Sequence, residues 1–311
     1  MVGQLFGGIL LAFASSATAQ EAPAQGDDLA GRLRVVPLND ELLSDLAVRN
    51  DLGTLQVLAA NWGVNPYINQ TREGLVLPTA QILPPGPREG IVINRAEYRL
   101  YYFQHGQLAF TAPVAVGEDN HETPLGQTAV MRKQKDPVWH PTAGTLEDFP
   151  GTESSVPPGP ENPLGTRALY LKWPTYLIHG AADDFAIGRR LTRGCVRLYA
   201  HDIERLFDMV PVGTPVSIID QPIKLGWHDD ELFVEAEPSF DQLEELRLSF
   251  SFTTKPTEDI SSWITTTAGP RAQDLDWPTI SQALARRSGI PTQITRVLVH
   301  PVEIGDHGAG F

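Results

Sequence analysis

Cys195 is the single cysteine of this 311-residue chain; Gly194 precedes it and Val196-Arg197 follows. A lone thiol cannot close an intramolecular disulfide, so in an exported chain it calls for another role. Nucleophilic catalysis is such a role, because a thiolate attacks carbonyls once a base has taken its proton. His179, followed by Gly180, supplies an imidazole at the end of the apolar run Tyr176-Leu177-Ile178. It reads as a base toward the thiol and then as an acid toward a leaving amine. Gly194 leaves room for a carbonyl beside the sulfur, and the backbone N–H groups of Gly194 and Cys195 offer an oxyanion hole. Arg197 falls on the same side as Cys195 in an extended chain and suits a bidentate contact with a substrate carboxylate. Taken singly, Cys195 reads more readily as an inert buried thiol and His179 as a structural imidazole, and Arg189, Arg190 and Arg193 can be read as a solvated basic face. Their joint arrangement favours catalysis. His179, Cys195 and His201 lack CxxC or HExxH spacing, so no metal and no cofactor are expected.

These residues need elements to hold them. Ile203, Leu206, Phe207 and Val210 recur at helical spacing, which predicts a helix starting near Asp202, a few residues past the sulfur. An imidazolium or a helix N-terminus near the thiol would lower its pKa from about 8.5. Short strands are expected at 91–93, 98–103, 108–116, 168–171 and 215–219, without regular helical alternation. That pattern predicts a mainly β catalytic unit over 89–220, a sandwich or barrel rather than a parallel α/β sheet. Residues 117–166, rich in Gly, Pro and Thr, read as a long irregular loop or lid.

Pro84-Pro85-Gly86-Pro87 marks a boundary before the β-rich region. Upstream, 33–79 read as a small α/β unit: a strand at Arg34-Val35-Val36, helices around Leu43 to Ala47 and Leu55 to Ala59, and a strand at Leu75-Val76-Leu77. Downstream, 221–311 form an extension of unknown role, with a short helix expected over Pro278 to Ser288. The end from Asp306 reads as loose.

Composition fits a folded protein, at 41% hydrophobic and 20% charged residues. A net charge of −14 argues against a nucleic-acid surface, which needs a basic stripe. Leu5 to Ala14 form a short apolar run followed by Ala17-Thr18-Ala19, the pattern of a signal peptide over 1–19. The run is too short to span a bilayer comfortably, which predicts an exported, soluble mature chain.

The motif Thr192-Arg193-Gly194-Cys195-Val196-Arg197, with His179-Gly180-Ala181 upstream, resembles the L,D-transpeptidases with a YkuD catalytic domain. The LysM-bearing ErfK/YbiS-type branch is the most similar. Phe185-Ala186-Ile187-Gly188, Gly117 with Thr123-Pro124-Leu125-Gly126, and Pro158 to Gly165 (PGPENPLG) match as well. The resemblance implies a β-sandwich or barrel-like catalytic fold, Cys195 and His179 as catalytic pair, and Gly194, Arg197, Gly180, Tyr176 and Arg193 as oxyanion and substrate contacts. It implies a periplasmic enzyme acting on peptidoglycan stem peptides, with a second stem, an outer-membrane lipoprotein or another envelope protein as acyl acceptor. Hydrolysis of the same acyl-enzyme, or peptidoglycan binding by a decayed site, are the alternatives. Residues 33–79 resemble a LysM glycan-binding unit through Leu58, Ala60-Asn61, Gly74 and Leu77-Pro78, although Leu38-Asn39-Asp40-Glu41 replaces the usual Gly-Asp-Thr. A packing unit without ligand is the other reading there. Ala181 stands where the family has Thr, and Arg193 where it has a second His. Arg193 is expected to hold thiolate charge or to favour a different acceptor.

Overall fold

Leucines at helical spacing build the N-terminal unit of the computed structural model, which describes residues 27–37, 41–65, 74–255 and 259–296. The signal segment 1–19, Leu38-Asn39-Asp40 and the end from Asp306 lie outside the described residues. Strands β1 (Leu29–Gly31) and β2 (Arg34–Val36) lead to helices α1 (Leu43–Val48) and α2 (Thr54–Ala60), then β3 (Leu75–Leu77) and β4 (Ala80–Ile82). β2 pairs antiparallel with β3, and β1 with β4. Both helices turn their leucines inward. Asn61 ties the unit shut: its amide donates to Val57 O at 2.8 Å and Val76 O at 2.7 Å, and its oxygen accepts from Val76 N–H at 2.8 Å.

The central region is mainly β. Its elements are β5 (Gly90–Asn94), β6 (Arg99–Gln104), β7 (Gln107–Pro113), β8 (Val116–Gly117), β9 (Gly126–Lys135), α3 (Ala143–Asp148), β10 (Arg167–Leu171), β11 (Leu177–His179), β12 (Arg190–Thr192), β13 (Val196–Arg197), α4 (Ala200–Met209) and β14 (Pro215–Ile219). Eight of these strands form one sheet in the order β13-β11-β10-β9-β14-β5-β6-β7, while β8 and β12 pair separately. Most neighbours are antiparallel, with parallel pairs at β5–β14 and β11–β13. Strands β5 and β6 are buried on both faces. Ile91, Ile93, Leu100 and Tyr102 meet α4 and the N-terminal helices on one face; Val92, Tyr101 and Phe103 meet Leu83 on the other.

The expected irregular stretch 117–166 is corrected by β9, a ten-residue strand within it. Apart from Ala129 and Val130, β9 is half-buried or exposed and mostly polar, so the inward alternation that marks a strand in sequence is missing. The remainder, 136–166, is irregular except for α3. Asn162 holds it, fully buried, donating to Pro137 O, Val156 O and Pro157 O at 2.8, 3.0 and 3.1 Å while accepting from Leu164 N–H.

The C-terminal region carries β15 (Ile223–His228), β16 (Glu231–Ala236), α5 (Phe240–Ser249), α6 (Ser261–Ala268), α7 (Trp277–Arg286) and β17 (Thr292–Gln293). β15, β16 and β17 form a sheet whose own small core includes Leu232, Val234, Ile264, Ile280 and Ile294. Helix α5 starts in a reciprocal Ser239–Gln242 capping box and sends Leu243 and Leu246 into the main core. That core is continuous through α1, α2, the sheet and α4. Lys224, fully buried, joins the three regions: its ammonium donates to Ile82 O at 2.6 Å and pairs with Glu97 and with Glu235 at 2.8 Å. No described helix is long and apolar enough to cross a membrane.

Candidate active site

His179 is the last residue of β11, held between Ala168 of β10 and Arg197 of β13. Its side chain is 3% exposed, and Nδ1 lies 2.7 Å from Gly180 O. A carbonyl only accepts, so Nδ1 carries the proton and the neutral ring keeps its lone pair on Nε2. Gly180 is required by close packing: a Cβ there would lie 3.1 Å from Ile203 of α4 and 3.4 Å from Leu164 O. The His-Gly pair is therefore a ring fixed by its neighbour's carbonyl, on a backbone pressed between helix and lid.

Cys195 sits in the turn between β12 and β13. Its thiol donates toward Thr175 O at 3.5 Å, and Thr192 Oγ1 donates to Cys195 O at 2.5 Å. Gly194 has φ +97°, the left-handed region, and a Cβ on it would meet Tyr176 Cε1 at 2.7 Å. Tyr176 thus lies behind the cysteine turn, its ring on the Gly194 backbone and edge-on to Trp173. From the other side Thr123 braces the turn: its hydroxyl donates to Gly194 O at 3.0 Å and accepts from Gly117 N–H at 2.9 Å. The Gly117 and Thr123-Pro124 signals seen in sequence hold the cysteine backbone in place.

Cys195, His179 and Arg197 open into one cleft of about 600 Å³, roofed by the 136–166 segment through Trp139, Thr142 and Leu164. Arg197 lines it from β13, half-buried, and its Nε is buried with no hydrogen-bond partner. Arg193 reaches the opposite wall, where Nη2 meets Asp148 at the end of α3 at 2.5 Å. Its charge is paired across the mouth of the cleft instead of being held on the sulfur. Ala181 faces away, into an apolar cluster with Ala115, Ala186, Ile187 and Tyr199. His201 is elsewhere too: Nε2 meets Asp51 at 2.8 Å and the ring stacks on Tyr199.

The electrostatics differ from the expectation of a lowered thiol. Burial pushes the Cys195 thiol up, against a smaller opposing pull from the Leu177 backbone hydrogen bond and the Arg197 charge. Burial, helped by the Arg197 charge, drives the His179 imidazole down from 6.5 to about 3. Both shifts favour the uncharged forms in the free protein, a neutral thiol and a neutral imidazole.

Several cleft residues were not singled out as site residues in the sequence reading: His121, Arg132, His140 and Tyr170. Arg132 comes from β9, the strand whose polar pattern hid it, and Trp139-His140 from the roof. An aromatic beside a histidine within a Gly/Pro-rich stretch was the one available signal.

A family model described as the L,D-transpeptidase catalytic domain matches residues 88–218. The probable L,D-transpeptidase ErfK/SrfK of Salmonella typhimurium is 37% identical over 297 residues, spanning 92% of this chain and 94% of its own length. The probable L,D-transpeptidase YbiS of Escherichia coli is 34% identical over 297 residues, 90% of this chain and 93% of its own. Among solved structures, L,D-transpeptidase 3 from Mycobacterium tuberculosis, in complex with a faropenem-derived adduct, superposes on 46% of this chain and 63% of its own. Its TM-score is 0.37 and its identity 16%.

Proposed function

The chain belongs to the L,D-transpeptidase family, and from that membership we propose that it is a periplasmic enzyme that acylates Cys195 with a peptidoglycan stem peptide and passes the acyl group to an amine. The observation that carries this reading is the pairing in one cleft of Cys195 with a His179 ring whose Nδ1–H is committed to Gly180 O. That commitment leaves Nε2 as the only proton acceptor of the ring.

The proposed sequence begins with transfer of the thiol proton to His179 Nε2. The thiolate then attacks the carbonyl of the third stem residue, a diamino acid, and the developing oxyanion takes hydrogen bonds from backbone N–H groups at Gly194 and Cys195. The tetrahedral adduct collapses to a thioester as His179 returns the proton to the departing D-Ala amine. An incoming amine next loses its proton to His179 and displaces the sulfur, which restores the thiol. Arg197 has a second role besides contact. Its charge depresses His179, so a substrate carboxylate on Arg197 offsets that charge and makes the imidazole a stronger base when substrate arrives. The acceptor is a second stem or an envelope protein such as an outer-membrane lipoprotein, and 33–79 hold the glycan.

The test is intact-mass spectrometry of the mature protein incubated with a disaccharide-tetrapeptide. The expected outcome is a stem adduct on Cys195 with release of one D-Ala, absent in Cys195→Ala. Folded protein with a free thiol that yields neither adduct nor D-Ala would sink the reading. Adding amines then separates transfer from hydrolysis.

A further inference from the structure

Among the described residues the cleft is lined by three arginines, Arg132, Arg193 and Arg197, and three histidines, His121, His140 and His179, and by no aspartate or glutamate. A chain of net charge −14 has concentrated cationic side chains there. Arg193 is paired with Asp148. Arg132 is not paired: among the described residues no carboxylate lies within ion-pair distance, and its side chain donates only weakly to the uncharged Gln134 amide at 3.3 Å.

Sheet register fixes where Arg132 stands. Arg132 of β9 is directly opposite Tyr170 of β10, which is directly opposite Leu177 of β11. Leu177 shares a face with His179, two residues on, so this row of side chains runs away from His179 along the cleft floor. Two strand spacings and one two-residue step place the Arg132 backbone about 12 Å from that of His179. The guanidinium lies over the Tyr170 ring, 3.6 Å from its centroid. Stacking on a flat ring orients the group and leaves its N–H edge open to a planar, bidentate acceptor.

We propose that Arg132, stacked on Tyr170, is a second carboxylate-binding subsite, one that selects acyl donors carrying a free carboxylate away from the reacting carbonyl. Arg197 receives charge beside the reacting atoms; Arg132 receives it one arginine's reach from the far end of the row. The substrate class is then an acidic peptide anchored at two separated points, and amidation of its internal carboxylates weakens it. This rests on the acyl-donor reading above, and its test is arranged to be independent of chemistry.

The experiment measures equilibrium binding by calorimetry in the Cys195→Ala background, where no acylation can occur. The probes are a disaccharide-tetrapeptide and its counterpart with the internal carboxylates converted to carboxamides. Arg132→Gln is expected to weaken binding of the carboxylate form about tenfold or more, the scale of one charge-assisted pair. It should leave the amidated form unchanged, and Arg132→Lys should retain part of the preference. Equal weakening of both forms, or of neither, would overturn the subsite. Selective weakening here, together with a wild-type protein that forms no acyl-enzyme, would overturn the proposed reaction and leave the subsite standing.

Discussion

Two groups of ionisable side chains are removed from water in this protein, and they are built in opposite ways. Around Lys224, one buried ammonium is shared by two buried carboxylates, Glu97 and Glu235, with Glu237 beside them. Burial alone would lower the ammonium, but Glu235 and Glu97 beside it hold Lys224 well above its ordinary range. Tyr101 OH adds a 3.0 Å hydrogen bond to Glu97. In the cleft, burial and the like-signed Arg197 charge together outweigh the one opposing contact at His179, its hydrogen bond to Gly180 O. The first cluster holds its ammonium charged, while burial pushes the Glu235 and Glu237 carboxyls up. The second is kept neutral and incompletely bonded, which is the condition for a proton to move when a substrate arrives. Desolvation with partners makes a rivet; desolvation without them makes a reactive site.

The comparison breaks first at Lys224. Lys224→Met leaves Glu97 and Glu235 buried beside each other without their cation, and should cost about 3–5 kcal/mol of stability, read as a lower denaturation midpoint. A variant as stable as the parent would show that the rivet holds nothing. A smaller effect belongs to the cleft. His179 has a folded-state pKa of about 3 against 6.5, so below pH 6.5 the unfolded chain binds a proton that the folded chain refuses. Its penalty is nil above pH 6.5 and grows as pH falls toward 3, reaching on the order of 2–3 kcal/mol near pH 4.5. Subtracting the stability–pH curve of His179→Gln from that of the wild type should expose this slope, and parallel curves would refute it. The mildest effect is kinetic. With its thiol pushed up, Cys195 should react with iodoacetamide at a rate that still climbs through pH 9, with no shoulder near 6.5. A plateau already reached by pH 7 would mean a resting thiolate–imidazolium pair instead.

The reactive half of this contrast was legible in the sequence and the rivet was not. His179-Gly180 and Thr192 to Arg197 announce themselves because their chemistry is local: each glycine sits next to the residue whose backbone it frees. Lys224 and Glu235 face each other across the β15–β16 hairpin, but Glu97 lies far away in the chain, and isolated charges in a sequence look like surface. Strands such as Ile91-Val92-Ile93 declared themselves by β-branched runs, whereas β9 faces the cleft with Arg132 and is otherwise mostly polar, and so carries no apolar stripe. Helix α5 was hidden similarly. Leu243 and Leu246 point inward, but Leu248 is 71% exposed and blurs the period. Arg193 was legible as a departure, though not its partner, because Asp148 lies on a segment whose path is set by tertiary contacts such as those of Asn162 and the Trp139–Val156 bridge.

The core that runs unbroken from Leu43 and Leu55 through the sheet to Leu206 and Leu246 bears on how far the cleft could work from a glycan held by the N-terminal unit, as proposed above. An N-terminal unit on a flexible linker would act as a leash, letting the cleft sweep a volume set by linker length. Here, among the described residues, the first helices share one side-chain core with the catalytic sheet instead of hanging from it on a linker. A glycan strand seated on that unit would present its stems at one offset and one angle, so the protein would serve as a ruler along the wall, reaching some stems and passing over others by geometry alone.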